Sequence, residues 1–257
     1  MTALEPQFFT TPDGFRHAFF DLGTGSANPP IILQHGFTAS TRTEWVECGI
    51  AAALAGLGRR VISVDALGHG LSDKPHDPVH YGEARMARDI AAIATHLGFE
   101  AFDMVGYSMG AVISLLLAVE DRRVRRLAVG GIGEAAVLLG GVDTRAIDGR
   151  VLAAAMLADD PETLPEMGRM FRQMAASLGN DLKAVGAHAS NMNTATIPLA
   201  RISAPTLVLA GADDPLAVRP QVLVDAIGGA TLAIVPGDHT GARLSPEFTA
   251  ALVDFLR

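Results

Sequence analysis

The chain has 257 residues, 49% apolar and 19% charged, with one cysteine and a net charge of −8. So apolar a composition buries a sizeable core and excludes global disorder, and this length suits one α/β domain carrying an insertion. The acidic balance argues against nucleic-acid binding, which runs on phosphate neutralisation, the lone Cys48 excludes an intramolecular disulfide or a cysteine-rich zinc cage, and no uncharged apolar run reaches membrane-spanning length.

From the amino end, Met1–Phe9 carries Glu5 and no Lys or Arg, unlike a secretory signal, so a cytoplasmic protein is expected. Strands are expected at Ile31–Gln34, Arg60–Val64, Phe102–Gly106, Val124–Gly130, Thr206–Ala210 and Ala230–Val235. Most are Val, Ile and Leu runs bounded by Gly, Pro or Asp. They lack clean polar alternation, as suits strands covered on both faces. Helices are expected between them. Glu44–Leu57 is the first; Met86, Ile90, Ile93 and Leu97 form one apolar stripe in the second. Met109–Val119 and Ala217–Ile227 follow. Ser245-Pro246-Glu247 reads as an N-cap, a proline at N1 and an acid in the first turn, with Phe248, Leu252 and Phe255 as the buried side of a last helix. Strand–helix alternation predicts a mostly parallel, doubly wound α/β sheet.

That rhythm breaks over residues 134–203, which are rich in Ala, Met and Gly and hold no clear strand. A helical insertion is expected there, with residues 1–133 and 204–257 forming the core. Met156, Met167, Met170, Met174 and Met192 fall within it. Such side chains adapt to varied apolar ligands, and serve equally as filler between small helices.

The chemistry centres on Gly106-Tyr107-Ser108-Met109-Gly110. Gly-x-Ser-x-Gly alone marks many tight turns. At the end of an apolar strand and the start of a helix it has the form of a nucleophile elbow, with Ser108 on the strained turn and the glycines relieving clashes beside it. A serine hydroxyl needs a base. Of eight histidines, His239 follows the last strand in Pro236-Gly-Asp238-His239-Thr-Gly241 and fits the chain order nucleophile, acid, base. The base needs a carboxylate to hold its tautomer. Asp213 and Asp214, before Pro215 at the end of a strand, both qualify; Asp214 is the first choice and Asp213 the fallback, and one of the two is expected to cap the following turn. A tetrahedral oxyanion needs preorganised donors. The strand ending in His35-Gly36-Phe37 supplies the N–H of Phe37, and Met109 supplies the second; His35 is expected to be structural.

Together these pieces resemble the α/β-hydrolase superfamily over nearly the whole chain. The resemblance extends to Asp65-Ala-Leu-Gly68-His69-Gly70-Leu-Ser72, similar to that family's Asp-x-x-Gly-His-Gly-x-Ser loop, with Leu67 where Arg is common. It implies the α/β-hydrolase fold, Ser108 as nucleophile, Asp214 as acid, His239 as base, Phe37 and Met109 as oxyanion donors, and the insertion as a cap. Ser108 in place of Asp disfavours haloalkane dehalogenases and epoxide hydrolases. His-Gly-Phe departs from the His-Gly-Gly-Gly of one lipase branch. Thr38-Ala-Ser-Thr lacks the Gly-Pro-Gly of many C–C bond hydrolases. Enol-lactonases, small carboxylesterases and haloperoxidase-like esterases fit.

The expected activity is hydrolysis of a small apolar carboxylic ester or lactone through an acyl-enzyme, with no cofactor, no metal, no nucleic acid and no membrane. Alternatives are a C–C bond hydrolase, an acyltransferase, or a ligand receptor retaining the triad. Gly131-Ile-Gly133-Glu-Ala-Ala136 matches a dinucleotide fingerprint but comes halfway along the chain, with no acid about 20 residues on; it reads as a tight turn. His76, Asp77 and His80 share a proline-containing loop without metal-ligand spacing and read as solvated surface.

Overall fold

The computed structural model describes residues 4–23, 29–146 and 148–257. Met1–Ala3 of the amino-terminal segment, and the side chain of Met167, lie outside the described residues. One sheet is built from β1 (Gln7–Thr10), β2 (Arg16–Asp21), β3 (Ile31–Gln34), β4 (Val61–Val64), β5 (Phe102–Tyr107), β6 (Val124–Gly130), β7 (Thr206–Gly211) and β8 (Thr231–Val235). Their spatial order is β1-β2-β4-β3-β5-β6-β7-β8. The six expected strands are β3 to β8, and their pairings with one another are all parallel. β1 and β2 were not expected. Aromatic and polar residues mix in both, and they pair antiparallel at one edge, where β1 is mostly exposed.

The helices are α1 (Ile50–Ala55), α2 (Glu83–His96), α3 (Met109–Glu120), α4 (Ala135–Leu138), α5 (Gly149–Leu157), α6 (Glu166–Ser177), α7 (Leu182–Ala189), α8 (Pro220–Ala226), α9 (Gly241–Leu244) and α10 (Pro246–Leu256). Successive strand residues point to opposite faces, and both faces are dry. Ile32, Ile62 and Met104 pack on Met86, Ile90 and Val112 of α2 and α3. Ile31, Leu33 and Val105 pack on Trp45, Leu54, Phe248 and Leu252 on the other side. This double cover explains the strands' lack of polar alternation. Ser245 caps α10, its Oγ accepting from Phe248 N at 3.1 Å.

Two helix expectations need correction. The single helix over Glu44–Leu57 is broken: Arg42–Val46 winds as a π-helical turn, Gly49 takes φ 83°, and α1 begins only at Ile50. The helix expected from Ala217 starts at Pro220, because Arg219 before it sits at φ 45°. Apolar periodicity reports the buried side of both segments but not the turns that interrupt them. Between β6 and β7 the chain forms α4 to α7. The ring of Phe37, after β3, packs against side chains of α5, α6 and α7, and Asn180 Nδ2 donates to the Thr38 carbonyl at 2.8 Å. No helix among the described residues is long and apolar enough to cross a membrane.

His17 of β2 and Asp89 of α2 meet inside the fold at 3.7 Å, with side chains 2% and 9% exposed, too far for a hydrogen bond. Burial pushes the Asp89 carboxyl up to about 7 and the His17 imidazole down to about 4, since both lose the water that solvates charge. A raised carboxyl binds protons more tightly in the folded state, so its stabilisation is present at low pH and lost as pH rises toward 7. The depressed imidazole acts oppositely, its stabilisation being lost as pH falls from 6.5 through 4. Asp89→Asn removes the first effect and leaves the second. Its stability relative to the parent chain should climb between pH 4 and pH 8, by up to about 4 kcal/mol at 1.36 kcal/mol per unit. Urea unfolding of both proteins at the two pH values checks this; a constant difference would mean that Asp89 ionises normally in the folded state.

Candidate active site

Ser108 stands between the central strand β5 and α3, at φ 54° and ψ −118°, a region that a non-glycine residue occupies only when its surroundings hold it there. The hold is visible. Ser108 N donates to the Gly130 carbonyl of β6 at 2.8 Å. A Cβ at Gly106 would collide with the Gly110 carbonyl and the Ser114 hydroxyl, and one at Gly110 with the Gln34 carbonyl. Both glycines are required by the close approach of α3 to the strand ends.

The loop after β8 brings His239 to this turn. His239 Nε2 lies 3.0 Å from Ser108 Oγ, and Nδ1 lies 2.9 and 3.1 Å from the two carboxylate oxygens of Asp214. A carboxylate only accepts, so Nδ1 is the donor in this contact, and in the neutral ring Nε2 is then the acceptor that faces the serine hydroxyl. The Asp214 side chain is fully buried, while that of His239 is 28% exposed. Asp214 Oδ1 also accepts from Leu216 N at 2.8 Å. Asp213 is exposed, and its N–H donates to the Gly237 carbonyl at 3.1 Å. Of the two acids, then, Asp214 meets the imidazole and Asp213 makes the turn.

The segments that carry the two expected oxyanion donors both border the serine. Met109 N opens α3, and Gly36, just before Phe37, packs on Ser108 itself: a Cβ there would stand 3.3 Å from Ser108 Cβ. Among the described residues neither Phe37 N nor Met109 N donates to another protein group. His35 is structural, as expected. Its Nε2 accepts from Ala66 N at 3.0 Å, and its Nδ1 donates to the Gly36 carbonyl at 2.8 Å. The loop after β4 serves the same end. Asp65 accepts from Thr41 N and Leu71 N, each at 2.8 Å, and Gly70, at φ 49°, leaves room for that carboxylate. Leu67, where the resemblance leads one to expect arginine, is buried in the core.

Several residues of the site carry no signal of their own in the sequence. The Tyr107 hydroxyl donates to the His239 carbonyl at 2.5 Å; burial and the neighbouring Asp214 push its pKa up, so it stays a donor. Gly131, at φ 69°, makes room for the imidazole: a Cβ would stand 2.9 Å from His239 Cε1. Gly133 lies hard against the Val218 carbonyl, and Gly131 N and Glu134 N donate to Leu209 and Val218 carbonyls. The glycine motif at 131–136 is thus spent on packing around the site. Glu44 accepts from Gly36 N at 3.0 Å and pairs with Arg243. In the 76–80 loop, His76 pairs with Asp181 at 3.0 Å and Asp77 caps Val79 N. Among the described residues no cluster of three or more His, Cys, Asp or Glu side chains could hold a metal.

Comparison with known proteins agrees with this arrangement at the level of the fold. Residues 29–165 match the family described as alpha/beta hydrolase fold. A 2-hydroxy-6-oxo-2,4-heptadienoate hydrolase of Pseudomonas putida is 33% identical over 132 residues, 51% of this chain and 46% of that protein. The chain spans about half the length of the curated relatives it matches. The crystal structure of an enol-lactonase from Burkholderia xenovorans superposes with a TM-score of 0.78 at 21% identity, covering 97% of this chain and 99% of that one. A thermophilic esterase from Thermogutta terrifontis superposes with a TM-score of 0.76 at 25% identity, covering 98% of each chain.

Proposed function

The chain belongs to the alpha/beta hydrolase fold family, and from that premise we propose that it is a serine hydrolase of a small, fairly apolar carboxylic ester or lactone. One observation carries the reading: a serine hydroxyl held on a strained turn lies 3.0 Å from an imidazole whose other nitrogen is committed to a buried carboxylate. In the proposed mechanism His239 Nε2 takes the Ser108 proton as Oγ attacks the carbonyl. The oxyanion rests on Phe37 N and Met109 N; losing one such donor typically costs about 2.7–4 kcal/mol of transition-state stabilisation. His239 then protonates the leaving alcohol, and water activated by the same ring releases the acid. Asp214 stays ionised throughout. Every group that the protein contributes to the cycle is a side chain or a backbone N–H.

On this reading residues 134–203 act as a cap, and the acyl group lies under α5 to α7 beside Phe37 and Phe171, whose rings face the same small cluster. A fluorophosphonate probe should add once per chain, at Ser108, with loss of fluoride; attachment at another residue would redirect the assignment. A panel of esters and lactones graded by acyl length should show turnover favouring short apolar acyl groups.

A second reading, a C–C bond hydrolase, is favoured by the Pseudomonas putida relative's name and opposed by Thr38-Ala-Ser-Thr after the first oxyanion donor. Adding a 2-hydroxy-6-oxodienoate to the panel separates the two: the ester reading fails if that compound is the better substrate by kcat/KM.

A further inference from the structure

Glu44 and Arg243 are 199 residues apart in sequence, yet their side chains pair inside the protein, 6% and 11% exposed. Each reaches a different arm of the site. Glu44 Oε2 accepts from Gly36 N at 3.0 Å, the residue that touches Ser108 and precedes the first oxyanion donor. Arg243 lies in α9, directly after the His239 loop. It forms the ion pair through Nε, and its Nη1 donates to the Glu44 carbonyl at 2.9 Å. The segment between is tied: Asp238 accepts from Gly241 N at 2.7 Å and Ala242 N at 2.8 Å, and Tyr107 holds the His239 carbonyl. Contacts therefore close a ring running Glu44, Gly36, Ser108, His239, α9, Arg243 and back to Glu44. Glu44 reaches inward from a π-helical turn, a rare form that recurs at functional sites.

A buried carboxylate this close to the oxyanion donors would oppose the negative charge that develops there. We propose that Glu44 and Arg243 are positioning residues of the hydrolytic site: Glu44 fixes the loop carrying the Phe37 N–H, and Arg243 neutralises Glu44 while locking that loop to the base. This inference rests on the serine-hydrolase reading.

The test is a double-substitution cycle read as kcat and KM separately on the best ester of the panel. Arg243→Gln leaves an uncompensated buried carboxylate beside the oxyanion and should lower kcat about 100-fold, the scale of losing one oxyanion donor. Glu44→Gln keeps an acceptor for Gly36 N and leaves a cation, which does not repel the oxyanion, so about ten-fold is expected. The double variant should recover to about ten-fold, against the roughly 1,000-fold of independent effects, with KM within about two-fold throughout. A double variant as slow as the product of the singles, or a loss confined to KM, would overturn the proposal. If Arg243→Gln melts below the assay temperature, Arg243→Lys takes its place. It keeps the charge and should stay within about ten-fold of the parent chain, and a 100-fold loss there would count equally against the role of charge. Ser108→Ala run alongside separates the two readings. Turnover surviving in that variant removes the serine mechanism itself, whereas an inactive Ser108→Ala with additive Glu44 and Arg243 effects removes only the pairing.

Discussion

Ser108→Ala is expected to reduce ester turnover about 10⁶-fold, the scale on which a serine nucleophile acting with its base is lost, while the protein stays folded. The asymmetry follows from what holds the turn. Its strained backbone is fixed by Ser108 N on the Gly130 carbonyl and by the two flanking glycines, none of which involves the hydroxyl. The hydroxyl's only partner among the described residues is His239 Nε2 at 3.0 Å. Removing it forfeits one hydrogen bond, about 1 kcal/mol of stability, and leaves an imidazole that still reaches water through its exposed edge. Steady-state rates on the best ester, with thermal melting of both proteins, check the result. Turnover near the parent rate in Ser108→Ala would remove the hydroxyl from the mechanism.

Asp214→Asn should cost about 10⁴-fold in kcat, because an amide can turn its NH₂ to Nδ1 and stabilise the tautomer that places the proton on Nε2, facing the serine. Asp213→Asn should change kcat by less than about three-fold, since that side chain is exposed and surface substitutions away from special features are nearly neutral. The pair forms an internal control: adjacent positions, the same isosteric change and opposite expectations. The reverse order of losses would exchange the two acids. Asp214 also accepts from Leu216 N, a bond that the asparagine keeps through its remaining oxygen, so the loss belongs to the tautomer and not to the loop.

Much of this architecture was legible because its signals are local. The β3–β8 strands are continuous apolar runs since parallel strands are covered on both faces, and the elbow is written in five consecutive residues whose glycines answer clashes a few positions away. Ser108, Asp214 and His239 each follow a strand, and parallel strands deliver the residues after them to one edge of the sheet. β1 and β2 escaped notice because an antiparallel edge tolerates polar residues on its open side. The helix expected from Glu44 to Leu57 failed at Gly49, whose positive φ separates the π-helical turn from α1.

What the amino-acid order determined by itself was therefore the six parallel strands and the turn that strains the serine, both set by backbone sterics and by which side chains must leave water. What the tertiary structure alone decided was the approach of Asp214 and Ser108 to the imidazole, the space that Gly131 yields to that ring, and the Glu44–Arg243 pair across 199 residues. Those depend on which groups a long-range packing brings within three ångströms of each other. Hydrogen bonds and ion pairs fall off over that same distance, so chain position carries no record of them until the chain has folded.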